Sequence, residues 1–169
     1  MDLFGAFYKK HKNKLFAYLM RVTGDYYLSS DIMQESFTRY LKHYGQKPRS
    51  VSLLYTIARN VLFDNSRKQW RNTQLEEDQE DCSGNQEHAC MVREEYRQVL
   101  SAIQRLKKNE KDILALVVSG DLSYREIASV VGISEANVKV KVHRARLTLK
   151  KILYTGEVYD ELYDQHVHR

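Results

Sequence analysis

The sequence predicts an all-α protein, two small helical domains joined by an acidic flexible linker. Three observations carry that reading. The 169 residues include one proline and seven glycines, with apolar residues at helical spacing and no turn-bounded alternating run that would mark a strand. Residues 72–90 hold Glu76, Glu77, Asp78, Glu80, Asp81 and Glu87 but no Lys or Arg, so the net charge of +5 combines −6 there with +11 elsewhere. A glycine turn between two amphipathic stretches near the C-terminal end adds a helix-turn-helix pattern. A polar acidic stretch containing Ser83, Gly84 and Asn85 cannot bury much surface. It divides the chain into a domain at 1–71, a linker at 72–90, a second domain at 91–153 and an acidic tail at 154–169.

Three helices are expected in the first domain. One runs from Leu3 to Val22, with Phe4, Phe7, Tyr8, Leu15, Tyr18, Leu19 and Val22 as apolar contacts, and Gly24 and Asp25 break it. The second starts near Ser29 or Ser30, either of which can cap it, and carries Ile32, Met33, Phe37, Tyr40 and Leu41. Gly45 to Ser50, with the lone Pro48, forms the next connection. The third helix spans Val51 to Arg71 and turns Leu54, Ile57, Ala58, Val61 and Leu62 inward. Tyr55 and Trp70 also recur at helical spacing, and the pattern leaves open whether each is core or surface. From Thr38 through Arg71 there are eight Lys or Arg residues and one acid, Asp64, which gives this domain a face suited to nucleic acid.

The second domain ends in LSYREIASVVGISEANVKVKVHRARLTLKK, residues 122–151. Ile127, Ala128 and Val131 recur at helical spacing, and the small Ala128 lets another helix cross close by. Gly132 stands where the chain leaves that helix in a left-handed conformation, and Ser134 is placed to cap the next. On that next helix Val138, Val142, Ala145 and Leu149 form one stripe, while Lys139, Val140, His143, Arg144, Leu147, Lys150 and Lys151 fall roughly opposite. A cationic face with apolar residues set among the charges suits a major groove: Lys and Arg reach guanine edges or phosphates, and Val140 can meet a thymine methyl.

Other classes are excluded in turn. The chain has no glycine-rich phosphate loop, no internal repeat, no long apolar run and no signal peptide, so a cytoplasmic protein is expected. Cys82, His88 and Cys90 fall in the linker, and a zinc site wants four ligands at tighter spacing, so no metal and no cofactor are expected. The acids concentrate in the linker and tail rather than in a catalytic cluster, which argues against an enzyme. In the tail, Val158 and Leu162 stand four residues apart with Tyr159 and Tyr163 alongside, a spacing compatible with a short amphipathic helix, but a tail disordered in solution is expected.

SDIMQESFTRYLKHY followed by SLLYTIARNVLFDNSRKQWR resembles region 2 of the extracytoplasmic-function (ECF) group of sigma-70 factors, and the helix-turn-helix stretch is similar to that group's region 4. The likeness covers about residues 1–71 and 91–153, in the family's order. Two departures stand out: Leu53 where the family usually has tryptophan, and Leu106 with Lys107 where it commonly has Leu-Pro. The resemblance implies a promoter-specificity subunit of RNA polymerase with no bond chemistry and no small-molecule substrate of its own. It places contacts to the clamp helices of the polymerase largest subunit at Asp31, Gln34, Glu35 and Thr38, and implies a further contact with the flap. Single-stranded promoter −10 DNA falls to Tyr44, Lys47, Arg49, Arg59, Asn60, Asp64, Arg67, Lys68 and Arg71. Duplex −35 DNA falls to Lys139, Val140, His143 and Arg144, with Tyr124, Arg125 and Lys141 on the backbone. An anti-sigma factor, in this family often membrane-anchored, is implied as a further partner, and a stress or envelope regulon as the target. The alternative, a self-sufficient helix-turn-helix regulator, leaves residues 31–44 and 53–71 without a role.

Overall fold

The computed structural model describes residues 2–73 and 94–155, apart from the side chains of residues 69–73 and residue 95. The described residues form seven helices and no strand: α1 (Leu3–Thr23), α2 (Tyr26–Tyr44), α3 (Val51–Thr73), α4 (Glu94–Gln104), α5 (Lys108–Ser119), α6 (Tyr124–Val131) and α7 (Glu135–Thr155). The linker, with Cys82, His88 and Cys90, lies outside the described residues, as do tail residues 156–169 and the side chains of Trp70 and Arg71.

Several helix ends have a local cause. Asp2 accepts from the Gly5 amide at 2.8 Å to start α1, and Gly24, at φ 69°, closes it by bonding back to the Met20 carbonyl. The second helix begins at Tyr26, earlier than the serines suggest. Asp25 is extended and its carboxylate accepts from the Leu28 amide at 2.9 Å, so an acid directly after the glycine caps the helix before either serine is reached. Ser29 is instead buried inside the helix, its hydroxyl 2.8 Å from that of Thr23. Leu41 is 38% exposed rather than inward, because Tyr40 and Tyr44 take the inward positions of the last turn. The third helix runs two residues beyond Arg71.

In the second half, Lys107 precedes α5 without a side-chain cap bond. Ser123 and Glu126 form a reciprocal capping box at α6: the Glu126 amide donates to the serine hydroxyl at 3.2 Å, and the Ser123 amide donates to the Glu126 carboxylate at 2.7 Å. Gly132, at φ 78°, makes the turn, and the Asn137 amide donates to the Ser134 hydroxyl at 3.2 Å, as the sequence pattern requires of a cap for α7.

The core is continuous across the two halves. Leu15, Tyr18 and Leu19 of α1, Ile32, Phe37 and Tyr40 of α2, and Leu54, Tyr55, Ala58, Val61 and Leu62 of α3 join Ile113 and Leu116 of α5, Ile127 of α6, and Val138 and Val142 of α7. Each large aliphatic or aromatic side chain removed from water contributes about 1.5–3 kcal/mol against the entropy of ordering the chain. Tyr55 is thereby settled as core, fully buried against Tyr18 with ring centroids 5.4 Å apart. Leu53 packs partly buried on the edge of the same cluster. A second, smaller cluster of Ala102, Leu106, Leu114, Ala145 and Ile152 joins α4, α5 and α7.

Candidate nucleic-acid interface

The α7 stripe is buried as its spacing predicts: Val138, Val142 and Ala145 are each at most 2% exposed, and Leu149 packs partly buried beside them. This fixes the rotation of the helix, so Lys139, Val140, His143, Arg144, Leu147, Lys150 and Lys151 are all exposed. Val140 is 46% exposed, an apolar patch held out in solvent among cations. Lys139 lies 3.3 Å from Glu135 one turn earlier, an exposed pair of the kind that contributes little. Tyr124 is partly buried at the start of α6 while Arg125 beside it is exposed, and Lys141 is partly buried at the side of α7.

In the first half, Asp31, Gln34, Glu35 and Thr38 are all exposed along one flank of α2. The Glu35 carboxylate accepts from Arg39 at 2.7 Å, and the Thr38 hydroxyl donates to the Gln34 carbonyl at 2.9 Å. The connection from α2 to α3 is pinned from below. The Tyr40 hydroxyl accepts from the Arg49 amide at 2.9 Å and donates to the Ser50 carbonyl at 3.2 Å. Tyr44 lies tilted against the Tyr40 ring at 5.0 Å, and the Arg49 guanidinium stands 5.7 Å from its centroid. Tyr44 is therefore a half-buried platform already carrying a cation, with Lys47 exposed nearby in sequence.

Asn60, Asp64, Arg67 and Lys68 are exposed along α3, Asp64 standing 3.8 Å from Arg39. Arg59 is placed differently. Its Nε donates to one oxygen of Asp112 in α5 at 2.9 Å, its Nη2 stands 2.8 Å from the same oxygen in an ion pair, and its Nη1 donates to the Val130 carbonyl in the last turn of α6 at 2.8 Å. The Tyr18 hydroxyl donates to the other oxygen of Asp112 at 2.7 Å. A second carboxylate, Asp121, takes the Lys14 ammonium at 2.6 Å and lies 2.9 Å from His11 Nδ1 and 3.4 Å from the Tyr55 hydroxyl. The Gln104 amide donates to the Arg21 carbonyl at 2.6 Å and receives Lys111 at 3.0 Å. A polar seam thus crosses the apolar contact between the halves.

Burial first, and the Asp112 carboxylate second, push the Tyr18 phenol well above its ordinary range. Burial does the same at Tyr55, partly offset by a hydrogen bond with Ser119, and burial pulls the Lys111 ammonium down. The seam residues Asp112, Asp121 and His11 carry no pattern that singles them out, and the spacing that marks Tyr18 as an apolar contact gives no sign of its bond to Asp112. The one sequence signal for Asp112 is an acid opening the apolar run DILALVV. No group of metal-ligating side chains able to hold an ion occurs among the described residues, and no helix among them is long and apolar enough to cross a membrane.

Residues 7–72 match the Sigma-70 region 2 family and residues 96–149 the Sigma-70 region 4 family. SigM of Bacillus subtilis (strain 168), an ECF RNA polymerase sigma factor, is 30% identical over 158 residues that cover 91% of this chain and 96% of SigM. SigL of Mycobacterium tuberculosis (strain ATCC 25618 / H37Rv), another ECF RNA polymerase sigma factor, is 29% identical, covering 89% of this chain and 90% of SigL. Among solved structures, the sigma factor RpoE in complex with the anti-sigma factor NepR from Bartonella quintana shares the fold with a TM-score of 0.72 at 17% identity, covering 93% of this chain and 100% of RpoE. CnrH in complex with the cytosolic domain of CnrY gives 0.64 at 20% identity, covering 89% and 86%. Region 2 followed by region 4 defines a sigma-70 type transcription factor. Within that class, the chain belongs to the ECF RNA polymerase sigma factors.

Proposed function

We propose that residues 1–71 bind core RNA polymerase and the single-stranded −10 element, that 91–153 read the duplex −35 element, and that 72–90 and 154–169 are a linker and a tail. The observation that carries the reading is the α7 geometry, an apolar stripe locked into the core with a cationic, partly apolar face held in solvent. Lys139, Val140, His143 and Arg144 meet base edges, while Tyr124, Arg125 and Lys141 hold phosphates. Single-stranded −10 DNA runs over the Tyr44 platform with Lys47 and Arg49, then along Arg59, Asn60, Asp64, Arg67, Lys68 and Arg71, Asn60 being placed to hydrogen-bond a base. Asp31, Gln34, Glu35 and Thr38 offer two carboxylates and two hydrogen-bonding groups to the clamp helices of the polymerase largest subunit, and region 4 meets the flap.

The factor catalyses no bond chemistry itself. It acts in the cytoplasm, helps open the duplex at promoters of a stress or envelope regulon, and is held inactive by an anti-sigma factor, a reading supported by the RpoE and CnrH complexes.

The test is a fluorescence titration with purified bacterial core polymerase, with the double variant Asp31→Lys/Gln34→Ala alongside. A dissociation constant near ~10 nM, about 11 kcal/mol, that weakens in the variant is expected. Absence of binding up to several micromolar, ~7 to 8 kcal/mol, refutes the proposal in favour of a self-sufficient helix-turn-helix regulator.

A further inference from the structure

A groove of about 410 Å³ opens between α4 and the C-terminal end of α7, and none of the residues named above for DNA or polymerase lines it. Its two walls differ. Arg97 and Ser101 of α4, with Arg105 just past the end of that helix, are exposed along one side, and α7 supplies Ile152 and Leu153 on the other. Ala102 and Ile152, each 4% exposed, belong to the smaller core cluster and form the floor, while Leu153 stands 46% exposed at the rim. The one ion pair along the cationic wall, Arg97 with Glu94 at 3.4 Å, is an exposed pair within one helix, so little holds that guanidinium against a competing carboxylate. One cationic and one apolar wall together fit an amphipathic segment with acids along its flank.

Such a segment starts at the edge of the groove itself. Residues 156–169 lie outside the described residues and follow α7 directly in the chain, two residues on from Leu153 at its last turn. On a helix, at about 100° per residue, Val158, Tyr159, Leu162 and Tyr163 share an arc of roughly 140°, and Glu157, Asp160, Glu161 and Asp164 fill roughly 100° on the other side. All eight consecutive residues sort by type. The acidic linker has no such pattern, since from Glu76 to Glu87 it holds no aliphatic or aromatic side chain. Reach also agrees: Val158, five residues beyond Leu153, lies at most about 18 Å from it, and the 11 residues of α4 run about 16 Å. Gly156, directly after α7, is the residue type with which a chain leaves a helix and turns.

We infer that residues 157–164 dock as a short helix in the groove between α4 and α7, with Val158 and Leu162 against Ile152 and Leu153. Glu157 and Glu161, the acids nearest that pair on the wheel, then face Arg97 and Arg105. An isolated helix of this length is marginal in water, which is why the composition of the tail alone reads as disorder. The groove supplies the surface the segment lacks, and the short connection holds it there at an effective concentration of about millimolar. The second half of the chain thereby gains a fifth helix.

The test is hydrogen exchange of the full chain read by mass spectrometry, with a synthetic peptide of residues 156–169 as the unprotected reference. If at least nine-tenths of the chain is docked, the amides of 158–164 exchange at least ~tenfold more slowly than in the peptide. Arg97→Glu/Arg105→Glu turns the cationic wall against the acids and should return these amides to the peptide rate, with exchange in α5 and α6 unchanged. Adding Glu157→Lys/Glu161→Lys to that variant should restore the protection. Leu162→Asp, which lies in the tail and so leaves the seven helices untouched, should abolish it and keeps the test available if the arginine variant does not fold. Exchange at the peptide rate in the wild-type chain overturns the inference. Protection that survives Arg97→Glu/Arg105→Glu seats the tail elsewhere, and protection that rises with protein concentration seats it on a second copy; either result overturns the groove as its site. None of these readouts uses DNA or polymerase, so their failure leaves the proposed function standing.

Discussion

The Arg59–Asp112 pair should show strong thermodynamic coupling. Two N–H groups of Arg59 reach one oxygen of Asp112 at 2.9 and 2.8 Å, and both side chains are nearly enclosed. Asp112→Ala leaves the guanidinium with the Val130 carbonyl as acceptor and the Phe63 ring 5.2 Å away, and deprives the fully buried Tyr18 of its acceptor. Breaking one side of a buried pair costs about 3–5 kcal/mol. Separation of the halves would hydrate both orphaned groups, so the free energy of closure caps the observed loss. Arg59→Ala strands the carboxylate and should cost about the same. The double substitution removes both charges together and should cost about 2 kcal/mol less than the sum of the singles. Urea unfolding of the four proteins gives these values, and a fall in the slope of the single variants would report early separation of the halves. Additivity within ~0.5 kcal/mol would refute the argument that this pair joins the halves.

Ser123→Ala removes one arm of the capping box at α6 and should lower stability by about 1 kcal/mol, a drop of about 2–4 °C in a thermal melt. Gly132→Ala meets nothing within 4 Å, so its cost is the left-handed backbone alone, about 1–2 kcal/mol, read by the same melt. Tyr18 and Tyr55 should resist ionisation in an ultraviolet phenolate titration after exposed tyrosines have lost their protons. Since their folded values lie above the unfolded one of about 10, the unfolded chain binds fewer protons above that pH. Stability is then unaffected by these groups below about pH 10 and falls as the pH rises beyond it, which unfolding at stepped alkaline pH will show. In DNA binding, Arg144→Ala should cost about 1–3 kcal/mol and relax preference at one base pair, whereas Lys141→Ala should weaken all duplexes alike and reduce the salt slope by about one. Equal effects on cognate and random duplexes from Arg144→Ala would contradict base reading.

The α7 helix was legible because several local rules agree: a glycine that must turn left, a serine that must cap, and a stripe that must be buried. Each is a short-range property of the chain. The start of α2 falls before its serines because an aspartate after a glycine ends one helix and caps the next. The capping box at Ser123 is equally local, a serine followed three residues later by Glu126. The seam was not legible in the same way. His11 and Asp121 are 110 residues apart, and Arg59 and Asp112 are 53 apart. Nothing in the spacing of either partner signals the other, and an arginine on a basic helix looks the same whether it awaits a phosphate or a carboxylate. Tyr55 was ambiguous for a related reason, since helical periodicity gives a rotation about one axis and not the presence of a second helix above it.

The 53 residues between Arg59 and Asp112 also have a meaning in time. The ribosome extends a chain at roughly 5–20 residues per second, so Arg59 precedes its carboxylate by about 3–10 s. Through that interval α1, α2 and α3 can assemble with the guanidinium in water and no cover yet made. A newborn chain is therefore briefly a different molecule from a finished one, and any contact that captures the first half during synthesis arrives before the chain can capture itself.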